Sequence, residues 1–191
     1  MLETARARAA EVGITPLKPG SGAALRLLAT AIDAKAVVEV GTGSGVSGLW
    51  LLSGMRPDGV LTTIDIEPEH QRLARKAFAE AGFAPSRTRL ITGRAVEVLP
   101  RLADGVYDMV LVAGDTSEFE RYVTEADRLL RPGGILAVDN ALAGGRVVDP
   151  AARDPETVAI REVVKALRDT DAWVSALLPV GDGLLVAVKR G

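Results

Sequence analysis

The sequence predicts an α/β fold in which a mostly parallel, doubly wound β-sheet is covered by helices on both faces. Short apolar segments with strand character alternate with amphipathic segments at helical spacing along most of the chain. The first of these strands runs directly into a glycine-rich turn, as expected for a strand-to-helix connection. Two last strands flank a turn at residues 180–183, whose composition favours an antiparallel hairpin at the C-terminal end of the sheet.

Turn residues between the apolar segments give the order of the predicted elements. Residues 56–59 (RPDG) and 131–134 (RPGG) carry the Pro and Gly that end a helix, and Gly82 ends another. Helices are expected at residues 3–12, 21–32, 46–55, 69–81, 93–100, 117–130 and 156–169. Strands are expected at residues 36–40, 60–64, 89–92, 107–112, 135–139, 173–178 and 184–189. This alternation implies right-handed crossovers between parallel strands.

Length and composition favour one globular domain of 191 residues, with N-terminal helices in residues 1–35 and the sheet core in 36–191. A net charge of −2 gives no broad attraction to nucleic acid or to an anionic membrane, so neither is an expected partner. The chain contains no cysteine, which excludes disulfides, thiolate catalysis and zinc–thiolate sites. No apolar run has the length of a membrane span and the start lacks a signal-peptide core, so a cytoplasmic location is expected.

Residues 36–47 (AVVEVGTGSGVS) carry the strongest signal in the chain. Glu39 is a carboxylate within an apolar strand, which is costly unless a ligand or a partner binds it. Two interpretations compete for the turn that follows. Residues 43–48 match the G-x-G-x-x-G dinucleotide fingerprint, with Asp65 at the expected distance. The in-strand Glu39 and a turn that begins at Gly41 instead resemble the Glu-x-Gly-x-Gly-x-Gly pattern of S-adenosylmethionine-dependent methyltransferases.

Polar and small residues gather where the predicted parallel strands end. Since ligands of such sheets bind beyond the carboxyl ends of the strands, these residues form one candidate site. The set consists of Glu39 and residues 41–47, Asp65, 93–95, 113–115 and 139–140.

The order and spacing of several motifs resemble those of the caffeoyl-CoA and catechol O-methyltransferase family from about Leu17 onward. The motifs are GTGSG at 41–45, TIDI at 63–66, GRA at 93–95, LRPGG at 130–134, DN at 139–140 and LPVGDG at 178–183. The resemblance implies a Rossmann-like class I methyltransferase fold with a seven-stranded sheet, and S-adenosylmethionine as cofactor. It makes a dehydrogenase a distant alternative.

The resemblance also implies roles for individual residues. Asp65 would accept hydrogen bonds from both ribose hydroxyls, Ser47 would bind the methionine carboxylate, and Ile66 would cover one face of the adenine. The implied cofactor-binding residues are Leu17, Glu39, Gly41, Thr42, Gly43, Ser47, Asp65, Ile66, Gly93, Ala95 and Asp115, the last also a good helix N-cap.

The motifs that bind the metal and the acceptor in this family are only partly present in the chain. Metal-using members carry Asp-Ala-Asp-Lys after the fourth strand and Asp-Asn after the fifth; here the first metal ligand is replaced by Ala113 and the lysine by Thr116. Only Asp139 and Asn140 of the three protein ligands remain, so strong binding of a divalent metal is not expected. No catalytic residue follows from this pattern.

The sequence thus predicts an O-methyltransferase acting on a small hydroxylated acceptor, aromatic acceptors included. The alternative is a cofactor-binding protein that has lost transfer activity and acts as a sensor or partner. A homodimer is expected from the resemblance and from an apolar C-terminal hairpin (Trp173, Leu177, Leu178, Leu184). His70, the only histidine, is expected to be a surface residue.

Overall fold

A computed structural model describes residues 1–114 and 116–191, without the side chain of Ser117. The helices are α1 (Leu2–Glu11), α2 (Pro19–Ala31), α3 (Val46–Gly54), α4 (Pro68–Glu80), α5 (Ala95–Val98), α6 (Phe119–Leu129) and α7 (Pro155–Arg168). The strands are β1 (Ala36–Val40), β2 (Val60–Asp65), β3 (Thr88–Thr92), β4 (Tyr107–Val112), β5 (Leu130–Val138), β6 (Trp173–Leu178) and β7 (Leu184–Lys189). Short 3₁₀ turns occur at Pro85–Arg87, Leu99–Arg101, Thr116–Glu118 and Ala143–Val148.

The seven strands form one sheet in the order β3-β2-β1-β4-β5-β7-β6. The first five are parallel, and β7 is antiparallel to both β5 and β6. The strand order reverses beside β1, which creates the crevice where such sheets bind their ligands. The predicted Rossmann-like class I fold is therefore confirmed, including its antiparallel C-terminal hairpin.

Both faces of the sheet are covered, as the apolar strands require. Along β1, Val37 packs into the core beside α2 and α3, whereas Val38 and Val40 pack into the opposite core beside α6 and α7. All three side chains are fully or almost fully buried. The alternation along one strand shows directly that it lies between two helical layers.

Several boundaries differ from the sequence prediction by one or two residues, and the start of β5 differs by more. Strand β5 begins at Leu130, five residues earlier than expected, because Leu130 pairs with Tyr107 before a register shift brings Ile135 opposite Met109. The Pro-Gly-Gly turn is thus an irregularity within the strand. Helix α2 begins at Pro19 instead of residue 21, since proline suits the first turn of a helix.

The apolar hairpin that favoured a dimer is only partly exposed. Trp173 and Leu184 are buried within the chain, which contradicts the expectation that they lack cover. Val174 and Leu177 of edge strand β6 are exposed. Any apolar surface for a partner on this hairpin therefore lies on the edge strand.

Candidate functional site

A cavity of about 470 Å³ opens at the carboxyl ends of the parallel strands. Its wall is formed by the residues that follow β1, β2, β3, β4 and β5, together with residues 14–17 from the segment before α2. The predicted gathering of strand-end residues is therefore one continuous surface.

The glycine turn after β1 brings backbone close to both the sheet and the cavity. Gly41 has φ +93°, and a Cβ there would lie 2.7 Å from the carbonyl oxygen of Ala113 on the neighbouring strand end. Gly43 has φ +51°, and the nearest atom to a Cβ there is Ile14 Cγ2, at 3.6 Å. Gly41 thus allows close packing of two strand ends, whereas Gly43 leaves open the space into which a ligand fits.

Helix α3 begins at Val46, directly after this turn, and points its N-terminal amides toward the cavity. Ser44 and Ser47 lie in the wall beside it and are both buried. The Ser44 hydroxyl has no hydrogen-bond partner among the described residues. A buried polar group of this kind at a helix N-terminus suits a ligand with an anionic group.

Asp65 ends β2 and is held by three donors. Its Oδ2 accepts a hydrogen bond from the Gly43 amide at 2.9 Å, and its Oδ1 accepts one from the Glu67 amide at 3.0 Å. His70 Nδ1 lies 3.1 Å from the same Oδ1. The expectation that His70 is merely a surface residue was wrong: its side chain is 23% exposed and lies in the cavity wall.

Glu39 lies beneath the turn and outside the cavity wall, in a fully buried chain of polar groups. Its Oε2 accepts a hydrogen bond from the Thr63 hydroxyl at 2.6 Å, and its Oε1 has no partner among the described residues. Thr63 in turn lies 2.6 Å from the Thr42 hydroxyl, which also accepts from Gln71 Nε2 at 3.0 Å. Burial raises the pKa of Glu39 to about 7, although the nearby hydroxyls of Ser47 and Thr63 act in the opposite direction.

The far end of the cavity, beyond Ala95, carries a hydrogen-bonded set of side chains. Arg94 Nη2 donates to Glu118 Oε1 and the Tyr122 hydroxyl donates to Glu118 Oε2, each at 2.8 Å. All three residues line the cavity. Glu118 follows β4 in the chain and is hydrogen-bonded to residues at the N-terminal ends of α5 and α6.

An adjoining part of the wall is formed by Ala113, Gly114, Asp139 and Asn140, since a Cβ on Gly114 would lie 3.9 Å from Tyr122 Cε2. The Asp139 side chain is buried, and its Oδ1 has no hydrogen-bond partner among the described residues. Burial raises the pKa of Asp139, while the Asn140 amide, the Ser21 hydroxyl and Lys18 lower it. Asp139 thus belongs to the cavity wall and holds a buried carboxylate oxygen without a hydrogen-bond partner among the described residues.

The structure brings most of the predicted cofactor residues into this wall. They are Leu17, Gly41, Thr42, Gly43, Ser47, Asp65, Ile66, Gly93 and Ala95. Glu39 lies one layer below, and Asp115 is outside the described residues. Sequence reasoning placed Arg94 in the candidate site but missed His70, Glu118 and Tyr122. Only His70 carried a signal, since it lies five residues after Asp65 in the first turn of the next helix.

Across residues 1–114 and 116–191, three or more His, Cys, Asp or Glu side chains are nowhere grouped so as to hold a metal ion. Within the same part of the chain, no helix combines the length and apolar character needed to cross a membrane.

Comparison with known proteins agrees with the geometry. The family model described as O-methyltransferase matches residues 2–190. A probable O-methyltransferase of Mycobacterium tuberculosis is 58% identical over 189 residues, which cover 99% of this chain and 84% of that protein.

Two solved structures resemble the chain over nearly its whole length. The O-methyltransferase TomG of Streptomyces achromogenes, involved in tomaymycin synthesis and solved with S-adenosylmethionine, superposes with a TM-score of 0.90. It is 30% identical and the match covers 100% of this chain and 89% of TomG. A Bacillus cereus O-methyltransferase solved with S-adenosylhomocysteine has a TM-score of 0.89 at 25% identity, covering 99% and 90% of the two chains.

The buried, unpartnered Ser44 hydroxyl at the N-terminus of α3, the space left by Gly43 and the Asp65 carboxylate fit S-adenosylmethionine, which carries a carboxylate and a ribose diol. The resemblance noted from the sequence is thereby confirmed. The chain belongs to the O-methyltransferase family and is an S-adenosylmethionine-dependent O-methyltransferase.

Proposed function

We propose that the protein methylates a hydroxyl of a small acceptor, aromatic acceptors included, without the metal and lysine that related enzymes use. The observation that carries this proposal is the buried Asp139 Oδ1, which lies in the cavity wall without a hydrogen-bond partner among the described residues. A buried acceptor atom of this kind favours a ligand that brings a donor.

The residues around Asp139 in the cavity wall do not fit a divalent metal. Asp139 supplies one carboxylate and Asn140 one neutral carbonyl oxygen, and Ala113 has no side-chain ligand at all. Hard cations prefer several oxygen ligands, with carboxylates among them. We therefore assign the Asp139 oxygen to direct contact with the acceptor.

The other residues of the cavity wall bind S-adenosylmethionine and align it with the acceptor. S-adenosylmethionine, when bound, supplies an electrophilic methyl group on its sulfonium. We assign its ribose to Asp65, its carboxylate to Ser47 and the α3 amides, and its adenine to the wall between Ile66 and Ala95. Glu39 supports this wall from below through Thr63 and Thr42.

Asp139 then orients the acceptor. A hydroxyl that donates to Asp139 Oδ1 is held at the carboxyl end of β5. Because the carboxylate only accepts, the acceptor hydroxyl brings the proton, and Asp139 takes up this proton as the oxygen is methylated. Holding two reactants in line contributes a large part of the rate enhancement in transfers of this kind.

The acceptor assignment is tested by mass spectrometry with S-adenosylmethionine carrying a deuterated methyl group. Catechol and simple phenols are offered in excess EDTA, and transfer of the labelled methyl to oxygen is expected. Asp139→Ala should lose transfer and keep its affinity for S-adenosylhomocysteine, whereas Asp139→Asn should keep part of the rate. If the protein binds the cofactor but methylates no hydroxylated acceptor, the alternative role as a sensor or partner is favoured. The replacement of a metal ligand by Ala113 and of the lysine by Thr116 agrees with such a loss of activity.

The cofactor assignment is tested separately by calorimetry with S-adenosylhomocysteine. Asp65→Ala removes charge-assisted hydrogen bonds to the ribose, so a loss of affinity of about tenfold or more is expected. Glu39→Gln should lose less, because an amide oxygen still accepts a hydrogen bond. The exposed Asp169→Ala serves as the control. A loss below about threefold in Asp65→Ala would rule out the ribose assignment.

A further inference from the structure

The hydrogen bonds already made by Asp65 leave too few acceptor positions for a ribose. A carboxylate offers about two acceptor positions on each oxygen. Both positions on Oδ1 are taken, by the Glu67 amide at 3.0 Å and by His70 Nδ1 at 3.1 Å. On Oδ2 the Gly43 amide takes one position at 2.9 Å. Within the part of the chain that the structure describes, only one position on the Asp65 carboxylate remains free.

A ribose brings two vicinal hydroxyls, and each needs an acceptor if both are to donate to Asp65. One of the three present donors must therefore give way when the cofactor binds. The Gly43 amide is fixed by the turn after β1, where Gly41 and Gly45 also have positive φ. The Glu67 amide is fixed where the chain enters α4. His70 is the only one of the three donors that belongs to a side chain.

His70 also has room to move. It lies in the first turn of α4, its side chain is 23% exposed, and it faces the cavity. Since the ionised Asp65 carboxylate can only accept, His70 must donate through Nδ1–H, which fixes its tautomer in this state.

We propose that His70 is a positioning residue that holds Asp65 Oδ1 in the free protein and yields this position to one ribose hydroxyl when the cofactor binds. The proposal rests on the assignment of the ribose to Asp65. The His70–Asp65 hydrogen bond then competes with the cofactor. Breaking this hydrogen bond is a cost that reduces the affinity for the cofactor.

The test is calorimetry of the full chain with S-adenosylhomocysteine and with its 2′-deoxy and 3′-deoxy analogues. His70→Phe keeps an aromatic ring of similar size and lacks the donor, and His70→Ala removes the ring as well. Arg75→Ala, an exposed change on the same helix, is the control.

Removing the donor should tighten binding of S-adenosylhomocysteine about threefold to tenfold. This is the change in affinity that corresponds to the net free energy of one hydrogen bond. One of the two deoxy analogues should show no such gain, because it lacks the hydroxyl that replaces His70. A residue that only supports the fold would change the affinity for all three ligands by the same factor.

Two negative results have different meanings. If both deoxy analogues bind the unmodified protein as tightly as S-adenosylhomocysteine, the ribose assignment itself fails. If they bind more weakly but the His70 variants change all three affinities equally, or leave all three unchanged, the ribose assignment stands and the competition by His70 is overturned.

Discussion

Thr63 Oγ1 donates to Glu39 Oε2 at 2.6 Å, and the two residues face each other across the parallel β1–β2 ladder. This contact is the centre of the polar chain beneath the glycine turn. It leaves Glu39 Oε1 without a partner among the described residues, in a site with no exposure to solvent. An ionised carboxylate is costly in such a place, which explains why burial raises the pKa of Glu39 to about 7.

This pKa makes stability depend on pH. The ordinary pKa of 4.5 applies in the unfolded chain, so between pH 4.5 and about 7 the folded protein binds a proton that the unfolded chain has lost. The stabilisation is fully present below pH 4.5 and is lost as pH rises through about 7. Its total is at most about 3.5 kcal/mol, at about 1.4 kcal/mol per pKa unit.

Glu39→Gln should abolish this contribution, because glutamine does not titrate. We expect the free energy of unfolding of the unmodified protein, relative to the variant, to fall by about 2 kcal/mol between pH 5 and pH 8. Urea unfolding at the two pH values measures it, with the exposed Glu3→Gln as control. A difference that does not change with pH would show that Glu39 is ionised throughout.

A second prediction distinguishes a glycine needed only for its positive φ from one that is also needed because another backbone lies close to it. Gly41 and Gly82 both have positive φ, at +93° and +83°, but only Gly41 has backbone within 3 Å of a built Cβ. Gly82→Ala should cost about 1 kcal/mol of stability from conformation alone. Gly41→Ala should cost about 3 kcal/mol or more, since the Ala113 carbonyl must also move. Thermal unfolding of both variants measures the difference, and equal losses would contradict the close approach of β1 and β4.

The sequence predicted the sheet almost completely, because most of its strands are largely apolar segments between clear turns. Strands β1, β4, β6 and β7 have the predicted bounds. The start of β5 was missed, because Pro132, Gly133 and Gly134 signal a turn and only the pairing of Leu130 with Tyr107 shows that the strand begins earlier.

The sequence predicted those site residues that belong to a motif at the end of a strand. It did not predict the contacts that depend on how the helices pack. The positions of Gly41, Gly43 and Asp65 follow from the ends of β1 and β2. The contact of His70 with Asp65 depends on the rotation of α4, and the pairing of Glu118 with Arg94 on how α5 and α6 meet. Neither is encoded in local spacing.

The third prediction concerns the homodimer, which stays a proposal. Edge strands with exposed apolar side chains favour pairing with another chain. Light scattering should return twice the 20.0 kDa mass of the chain, and Val174→Asp on β6 should return the single mass. Val106→Asp is a matched control, since Val106 and Val174 are both 53% exposed. A mass of 20.0 kDa for the unmodified protein would overturn the proposal.

The last prediction concerns the metal. The Asp139 amide donates to the Val112 carbonyl at 3.0 Å, so Ala113 and Asp139 follow neighbouring strand ends at the same edge of the cavity. Asp139 is the one carboxylate that the described residues contribute to the cavity wall at this edge, so the edge should bind Mg²⁺ weakly and activity should be indifferent to EDTA.

Restoring the missing groups gives the sharper measurement. Ala113→Asp places a second carboxylate at this edge and should create Mg²⁺ affinity detectable by calorimetry, whereas Ala103→Asp, an exposed change elsewhere, should not. Adding Thr116→Lys should then raise turnover on catechol in the presence of Mg²⁺. Tight, EDTA-sensitive Mg²⁺ binding by the unmodified protein would contradict this account, because Asp115 or a residue of the 140–155 segment would then have to supply the missing ligand.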